Sequence, residues 1–349
     1  MSVAEMPEPG RPVAAQRPAI DGDGWRDALV MIAAVAAYAA LSGFGSWLLP
    51  HVTAIPWVRQ FTGAPAAAPH LAGGAAIAAI LVLFIVPGAL LLEALSVGWR
   101  ASSLRQIAKG ATASIKTDVA FIALSHVQFT DFAGKLVTLG SSIAAGLWLR
   151  GLIARHAAIS FDPSQLPLAL QVLLYFAGFT FLDYWAHRLY HWGPLWPLHR
   201  YHHAATDCTV INAMRAHPAA VLANFIVNLP LAALGASPLV LVYVTTLAQG
   251  QSLVIHSRID SEWGWFGRWV LQSPNHHRMH HKLDLARPTG NFAMAPIWDR
   301  LFGTWDGAAD PSLVIGVDTP YRHGLWIWPD IWRDFREFCL EATAWRRRA

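Results

Sequence analysis

The chain reads as an all-α, polytopic membrane helical bundle with a cytosolic, histidine-rich helical cap, and three observations predict this. Of its 349 residues, 54% are hydrophobic and only 14% charged, against about 25% charged in soluble domains. Mean hydropathy is +0.35. Uncharged runs long enough to cross a hydrocarbon core of about 30 Å recur along the chain. Three clusters, His187-x-x-x-His191, His199-x-x-His202-His203 and His277-x-x-His280-His281, then carry histidine at helical spacing.

Residues 1–28 are polar and proline-rich, without the apolar core of a signal peptide, and read as a disordered cytosolic tail. Residues 29–160 read as membrane helices. Leu29 to Leu49 lies in a run free of Asp, Glu, Lys and Arg and forms the first span; Leu71 to Leu92 forms the second. Asp131 and Lys135 interrupt the pattern further on, and a third crossing is expected at Leu136 to Ile153. Pro163 to Leu182 is uncharged and runs into Asp183 and His187, so a membrane helix is expected to carry the first histidine pair out of the bilayer. Ala219 to Ser257 lacks acidic and basic residues apart from histidine and is broken at Gly235-Ala236-Ser237-Pro238, which predicts a helical hairpin. Residues 306–349 read as a cytosolic C-terminal tail.

Lys and Arg bias sets the orientation. Arg11, Arg17 and Arg26 precede the first span, and Arg100, Arg105, Lys109 and Lys116 follow the second, so both flanks are assigned to the cytoplasm. Arg188, Arg200, Arg215, Arg258, Arg278 and Lys282 put the histidine region on the same side, although a third crossing would leave Arg150 and Arg155 outside. The expected location is a bacterial inner membrane or the endoplasmic reticulum, as a multi-pass protein with its active site facing the cytoplasm. Trp192, Trp196, Trp263, Trp265, Trp326 and Trp328 read as interfacial anchors. Cys208 and Cys339 form no metal pattern or disulfide framework. The pI near 9.3 comes with no nucleic-acid-binding motif, and an anionic lipid surface accounts for it.

Eleven of the sixteen histidines lie between His187 and His281. Residues four apart on a helix share a face, so His187 and His191 aim into one pocket. Each His-x-x-His-His cluster is expected to repeat this at i and i+3, with the adjacent histidine turned about 100° further round, so that one cluster reaches two neighbouring metals. So many nitrogens exceed the four ligands that close a structural zinc site. Imidazole suits iron, zinc, copper and nickel alike, so ligand type does not choose the metal. His276 is assigned to the surroundings of the site or the surface, and His51, His70, His126, His156 and His323 to structure.

The run Asp183-Tyr184-Trp185-Ala186-His187-Arg188-Leu189-Tyr190-His191 followed by His199-Arg200-Tyr201-His202-His203 resembles the fatty acid hydroxylase and sterol desaturase superfamily of membrane di-iron enzymes. The resemblance continues through Asn212-Ala213-Met214-Arg215-Ala216-His217-Pro218, Ile255-His256-Ser257 and Pro274-Asn275-His276-His277-Arg278-Met279-His280-His281. It ends at Asn291-Phe292 and Trp298-Asp299-Arg300-Leu301-Phe302-Gly303-Thr304. It marks residues 161–305 as a fatty acid hydroxylase-like catalytic domain. Members often carry an acidic residue after the Arg-x-His-Pro element, where this chain has Ala219 and Ala220. Ser252 stands where some 2-hydroxylases place a histidine four residues before His256, which argues against that branch and makes His217 a candidate ligand.

The resemblance implies two Fe ions, or Zn in an isolated preparation, on His187, His191, His199, His202, His203, His217, His256, His277, His280 and His281. Asp183 is expected to accept a hydrogen bond from a ligand's distal N–H, and Arg215 to hold a carboxylate or carbonyl, since guanidinium cannot ligate. Asn291, Asp207, Asn212 and Asp284 are further supporting candidates. The implied function is O2-dependent hydroxylation of a C–H bond in an acyl chain, sterol or lipid headgroup drawn from the bilayer. The chain has no dinucleotide fingerprint and no cysteine quartet, so electrons would come from a separate reductase with ferredoxin or cytochrome. Desaturation starts with the same hydrogen abstraction and stays open, as does ether-lipid cleavage. A di-zinc hydrolase and a metal-binding or transport protein are the alternatives of another class.

Overall fold

The computed structural model describes residues 85–109, 112–126, 141–156, 162–283, 290–308, 310 and 313–346. The expected N-terminal tail, the span at Leu29 to Leu49, most of that at Leu71 to Leu92, and Asp284 lie outside the described residues. Among the described residues the regular elements are helices, with an isolated antiparallel bridge between Lys282 and Ile315.

Among the described residues the first four α-helices are α1 (Val86–Val97), α2 (Ser103–Ala108), α3 (Ala113–His126) and α4 (Ser141–His156). The third crossing was expected at Leu136 to Ile153; α4 is displaced toward the C-terminus of that window, and 136–140 lie outside the described residues.

Helix α5 (Leu168–Tyr190) follows Pro167 and runs for 23 residues, about 34 Å at 1.5 Å per residue. Among the described residues it is the helix long and apolar enough to cross a membrane, and Leu168, Leu170, Leu173 and Leu174 on it are exposed. It enters α6 (Trp196–His203) through a tight turn at Gly193–Leu195.

The hairpin expected over Ala219 to Ser257 is α7 (Ala223–Ala233) and α8 (Pro238–Ile255). Gly235 takes φ +101° at the turn, a value open to glycine without a Cβ penalty. Ser237 then accepts a bond from Val240 N, with Pro238 in the first turn, the usual chemistry of a helix start. Helix α4 lies close against α7: a Cβ on Gly146 would sit 2.5 Å from Leu229 O. Tyr175, Val227, Leu231, Val240 and Val244 fill the core between α5, α7 and α8.

Three short helices follow, α9 (Gly264–Trp269), α10 (Pro274–His280) and α11 (Pro296–Leu301). The start of α10 repeats the Ser-Pro device, with Ser273 as cap. The last described helix is α12 (Trp328–Arg346). This segment is docked on the bundle: Arg200 of α6 is 2.8 Å from Asp334 and also pairs with Glu337, while Tyr321 donates to Asp334 at 2.6 Å.

The N-terminal region is tied to the histidine region by two buried carboxylates. Glu93 accepts bonds from Ser103 N, Ser103 Oγ and Arg258 N at 2.6, 2.7 and 2.7 Å. Asp118 receives Arg215 Nε and Asn212 Nδ2, both at 2.6 Å.

Candidate metal centre

The structure gathers nine of the ten histidines into two adjoining groups. His187, His191, His199, His203 and His280 form one; His202, His256, His277 and His281 form the other, with the candidate nitrogens of each within 4.8 Å of one another. Helix α5 and its C-cap supply His187 and His191, α6 supplies three, α10 and its C-cap supply His277, His280 and His281, and His256 caps α8. His203 of the first group stacks on His281 of the second at 4.2 Å between ring centroids.

The division of the clusters differs from the expected i, i+3 sharing. His199 and His203, four apart, enter one group and His202 crosses to the other; His277 and His281, four apart, enter the second while His280 crosses to the first. A step of four returns within about 40° of the same face, whereas a step of three falls about 60° short on the other side. Each short helix therefore serves both groups, in opposite proportion.

Main-chain acceptors fix the ring tautomers. The Nδ1 atoms of His187, His202, His256 and His280 lie 2.7, 3.0, 2.6 and 2.8 Å from the carbonyl oxygens of Phe292, Arg215, Ser252 and Gly290. His277 Nδ1 meets Gln272 Oε1 at 2.9 Å, and Gln272 Nε2 in turn donates to Asn291 O at 2.9 Å. A carbonyl oxygen only accepts, so Nδ1 carries the proton and a neutral ring leaves Nε2 bare. Burial, reinforced by neighbouring imidazoles, holds His199, His202, His203, His277, His280 and His281 well below their ordinary pKa, so these rings are neutral.

The bare nitrogens point at one another. His280 and His187 Nε2 are 3.0 Å apart; His256 Nε2 stands 3.1 Å from that of His202 and 3.0 Å from that of His277. Lone pairs in that arrangement repel unless a cation sits among them. Two nitrogens each about 2 Å from one ion are about 3 Å apart. His191 has both ring nitrogens buried without a partner, and His199 and His203 each have a buried, unpartnered Nε2, a cost of about 1–3 kcal/mol each that a metal would remove. The donor set therefore fits two metal ions, and among the described residues neither group contains a carboxylate.

Three successive residues form a rack for these rings. Gly290 O receives His280, Asn291 O receives Gln272 and through it His277, and Phe292 O receives His187. Asn291 adopts φ +58° and is pinned by its side chain, which donates to His276 O and Asp306 O and accepts from Asp306 N. Buried Asp299 accepts from Phe292 N, Ala293 N and Thr304 Oγ1 at 2.9, 2.8 and 2.7 Å. The Trp-Asp-Arg-Leu-Phe-Gly-Thr run thus works by holding the rack.

The structure places the remaining candidates one by one, and the ligand role of His217 and the ring contact of Asp183 are corrected. His217 belongs to neither group: its Nε2 donates to Ile331 O at 3.0 Å and its Nδ1 accepts from Ala219 N, which fixes it as a buried link to α12. Asp183 makes no hydrogen bond to a histidine among the described residues, since Phe292 O occupies the distal nitrogen of His187. Arg215 holds a carboxylate, Asp118, and a carbonyl, Ser114 O at 2.7 Å. Asp207 accepts from Thr112 and Thr206 away from the rings. Asn212 caps its own turn and binds Asp118. His276 is buried beside Trp305 with Ser273 on its Nδ1. Trp196, expected as an interfacial anchor, is buried against His191 and His203; Trp192, Trp265, Trp326 and Trp328 are exposed. Phe292 covers His191 and His280 from the other side.

Residues 172–304 match the fatty acid hydroxylase family. Ornithine lipid hydroxylase OlsE of Rhizobium tropici is 32% identical over 210 residues, covering 56% of this chain and 63% of that protein. Human alkylglycerol monooxygenase is 28% identical over 45% of the chain and 37% of its own length, and the Danio rerio enzyme 28% over 61% and 50%. The chain thus spans less than two thirds of each of these relatives. No solved structure matches it significantly. Both histidine groups lie inside the matched segment, and the family match and these relatives support placing residues 172–304 in the fatty acid hydroxylase superfamily.

Proposed function

We propose that the chain is a membrane di-iron oxygenase that hydroxylates a C–H bond of a lipid, with O2 as cosubstrate and electrons from a separate reductase with ferredoxin or cytochrome. The observation that carries this reading is the pair of all-imidazole groups whose bare Nε2 atoms converge. The relatives, a lipid hydroxylase and alkylglycerol monooxygenases, point to a lipid substrate.

Bound iron would supply the reduction of oxygen and the removal of hydrogen from an unactivated C–H bond. The residues supply position and exclusion of water. The five carbonyl and amide acceptors hold the rings in the ligating tautomer. Trp196 and Phe292 close the first group with apolar surface. Helix α5 presents the bilayer with exposed leucines and ends in His187 and His191, a path by which a lipid can approach from the hydrocarbon side. The active site is assigned to the cytoplasmic face of a multi-pass protein on Lys and Arg bias. Among the described residues both groups are all imidazole, which favours an oxygenase over a di-zinc hydrolase, whose site commonly adds a bridging carboxylate and a general base.

The test combines elemental analysis of the purified chain, oxygen consumption with a supplied reductant, and mass spectrometry of lipids from cells with and without the gene. Iron, oxygen uptake and a product heavier by one oxygen atom are expected. A product lacking two hydrogens would replace hydroxylation by desaturation, and turnover without oxygen would end the oxygenase reading.

A further inference from the structure

Helix α12 is amphipathic in the reverse sense of a surface helix. Asp330 and Asp334 are buried on the inner face, where Asp334 pairs with Arg200 and Asp330 accepts from the backbone of Arg322 and His323. The outer face carries Trp328, Trp332, Phe335 and Cys339, spaced by four, three and four residues, so they form one stripe. Trp332 is 66% exposed, and Leu340 beside the stripe is 58% exposed. Solvation would favour the opposite arrangement, and the carboxylates that could face water are already committed to protein partners.

The surroundings say what covers the stripe. Trp345 at the end of α12 packs edge-on against Trp192 at 5.3 Å, and Trp192 lies two residues past α5, the helix able to cross a membrane. Leu189 and Trp185 at that end of α5 are exposed as well, so an apolar surface runs from the lipid-facing side of α5 through Trp192 to α12. Exposed Arg336 flanks the stripe, a cationic group suited to anionic headgroups, and the sequence continues past Trp345 as Arg346-Arg347-Arg348. Tryptophan and arginine in this order are the chemistry of a helix lying in a membrane interface.

We propose that α12 lies in the headgroup region of the bilayer, with Trp328, Trp332 and Phe335 inserted toward the acyl chains, so that the C-terminal segment is a membrane-docking element fastened to the histidine helix α6 through Arg200. This holds whichever metal or substrate the site takes.

Cys339 reports on the stripe directly. It is exposed, whereas burial pushes the thiol of Cys208 up to about 11, so a nitroxide reagent at neutral pH modifies Cys339 in the unaltered chain. The labelled full-length protein is placed in nanodiscs of phosphatidylcholine and phosphatidylglycerol, and collision rates with oxygen and with an aqueous nickel chelate are measured by electron paramagnetic resonance. An oxygen-to-nickel ratio several-fold above that of a label on Asp318→Cys, an exposed aqueous position in a Cys339→Ser background, is expected. A ratio equal to that control overturns the proposal. Shielding from both reagents with dipolar broadening between labels also overturns it, because a second copy would then cover the face.

Discussion

The Nε2 atoms of His187 and His280 stand 3.0 Å apart while the Nδ1 atom of each ring donates to a carbonyl, Phe292 O and Gly290 O. Both inward nitrogens are bare, and the contact is favourable only with a cation between them. Stripping metal with a chelator should therefore lower the unfolding temperature, and iron should restore it. His280→Ala and His202→Ala each remove one such nitrogen and should abolish oxygen-dependent turnover, measured as oxygen uptake. Full turnover in His280→Ala would remove the basis for the site.

Gly290→Ala tests the rack. The added Cβ would stand 2.5 Å from Thr304 O, a backbone atom with little room to yield, so the carbonyl that receives His280 must shift. Gln272→Leu removes the acceptor of His277 Nδ1, whereas Gln272→Glu retains one. Iron affinity measured by competition with a chelator should fall about 10- to 100-fold for Gly290→Ala and Gln272→Leu, with partial recovery for Gln272→Glu.

Asp183→Asn should leave iron affinity unchanged, because Phe292 O holds the distal nitrogen of His187. The same chelator competition checks it, and a loss comparable to Gln272→Leu would mean that the carboxylate turns toward a ring.

The histidines were legible because residue type and spacing both survive in sequence: all but His217 of the ten candidates converge. Their allocation was not, since it depends on how α6 and α10 lie between the two groups. The outer acceptors were hidden for another reason. Gly290 O, Phe292 O, Arg215 O and Ser252 O are main-chain atoms with no residue signature, and Gln272 gave no more signal than its place before Ser273-Pro274. The hairpin at Gly235 to Pro238 was readable from local turn chemistry. Asp118 reaches Arg215 across 97 residues of sequence, a pairing no local pattern encodes.

Acid should destabilise the metal-free chain. An unfolded histidine titrates near 6.5, while burial holds folded His256 down at about 4. Between these values the unfolded state binds the extra proton, so stability is full above about pH 6.5 and falls below it, by about 1.4 kcal/mol per pH unit for each such ring. Thermal unfolding of the chelated protein should be level above neutrality and drop steeply under mild acid. An unfolding temperature independent of pH from 4 to 6.5 would contradict the buried neutral state.

Asp118 offers a way to affect one metal group without touching a ligand. Its carboxylate fixes the fully buried Arg215 guanidinium at 2.6 Å, and Arg215 O receives His202 Nδ1 at 3.0 Å. His202 belongs to the second group alone. Asp118→Ala leaves a buried charge unpaired, which costs about 3–5 kcal/mol, so the milder Asp118→Asn, which keeps an oxygen acceptor, is the informative change. It should loosen His202 and reduce bound iron from two toward one per chain, with the first group still filled. Elemental analysis gives the stoichiometry, and Mössbauer spectra of the enriched protein show whether one environment is lost. Equal loss of both irons would mean that Asp118 supports the fold as a whole and does not act through Arg215 on His202.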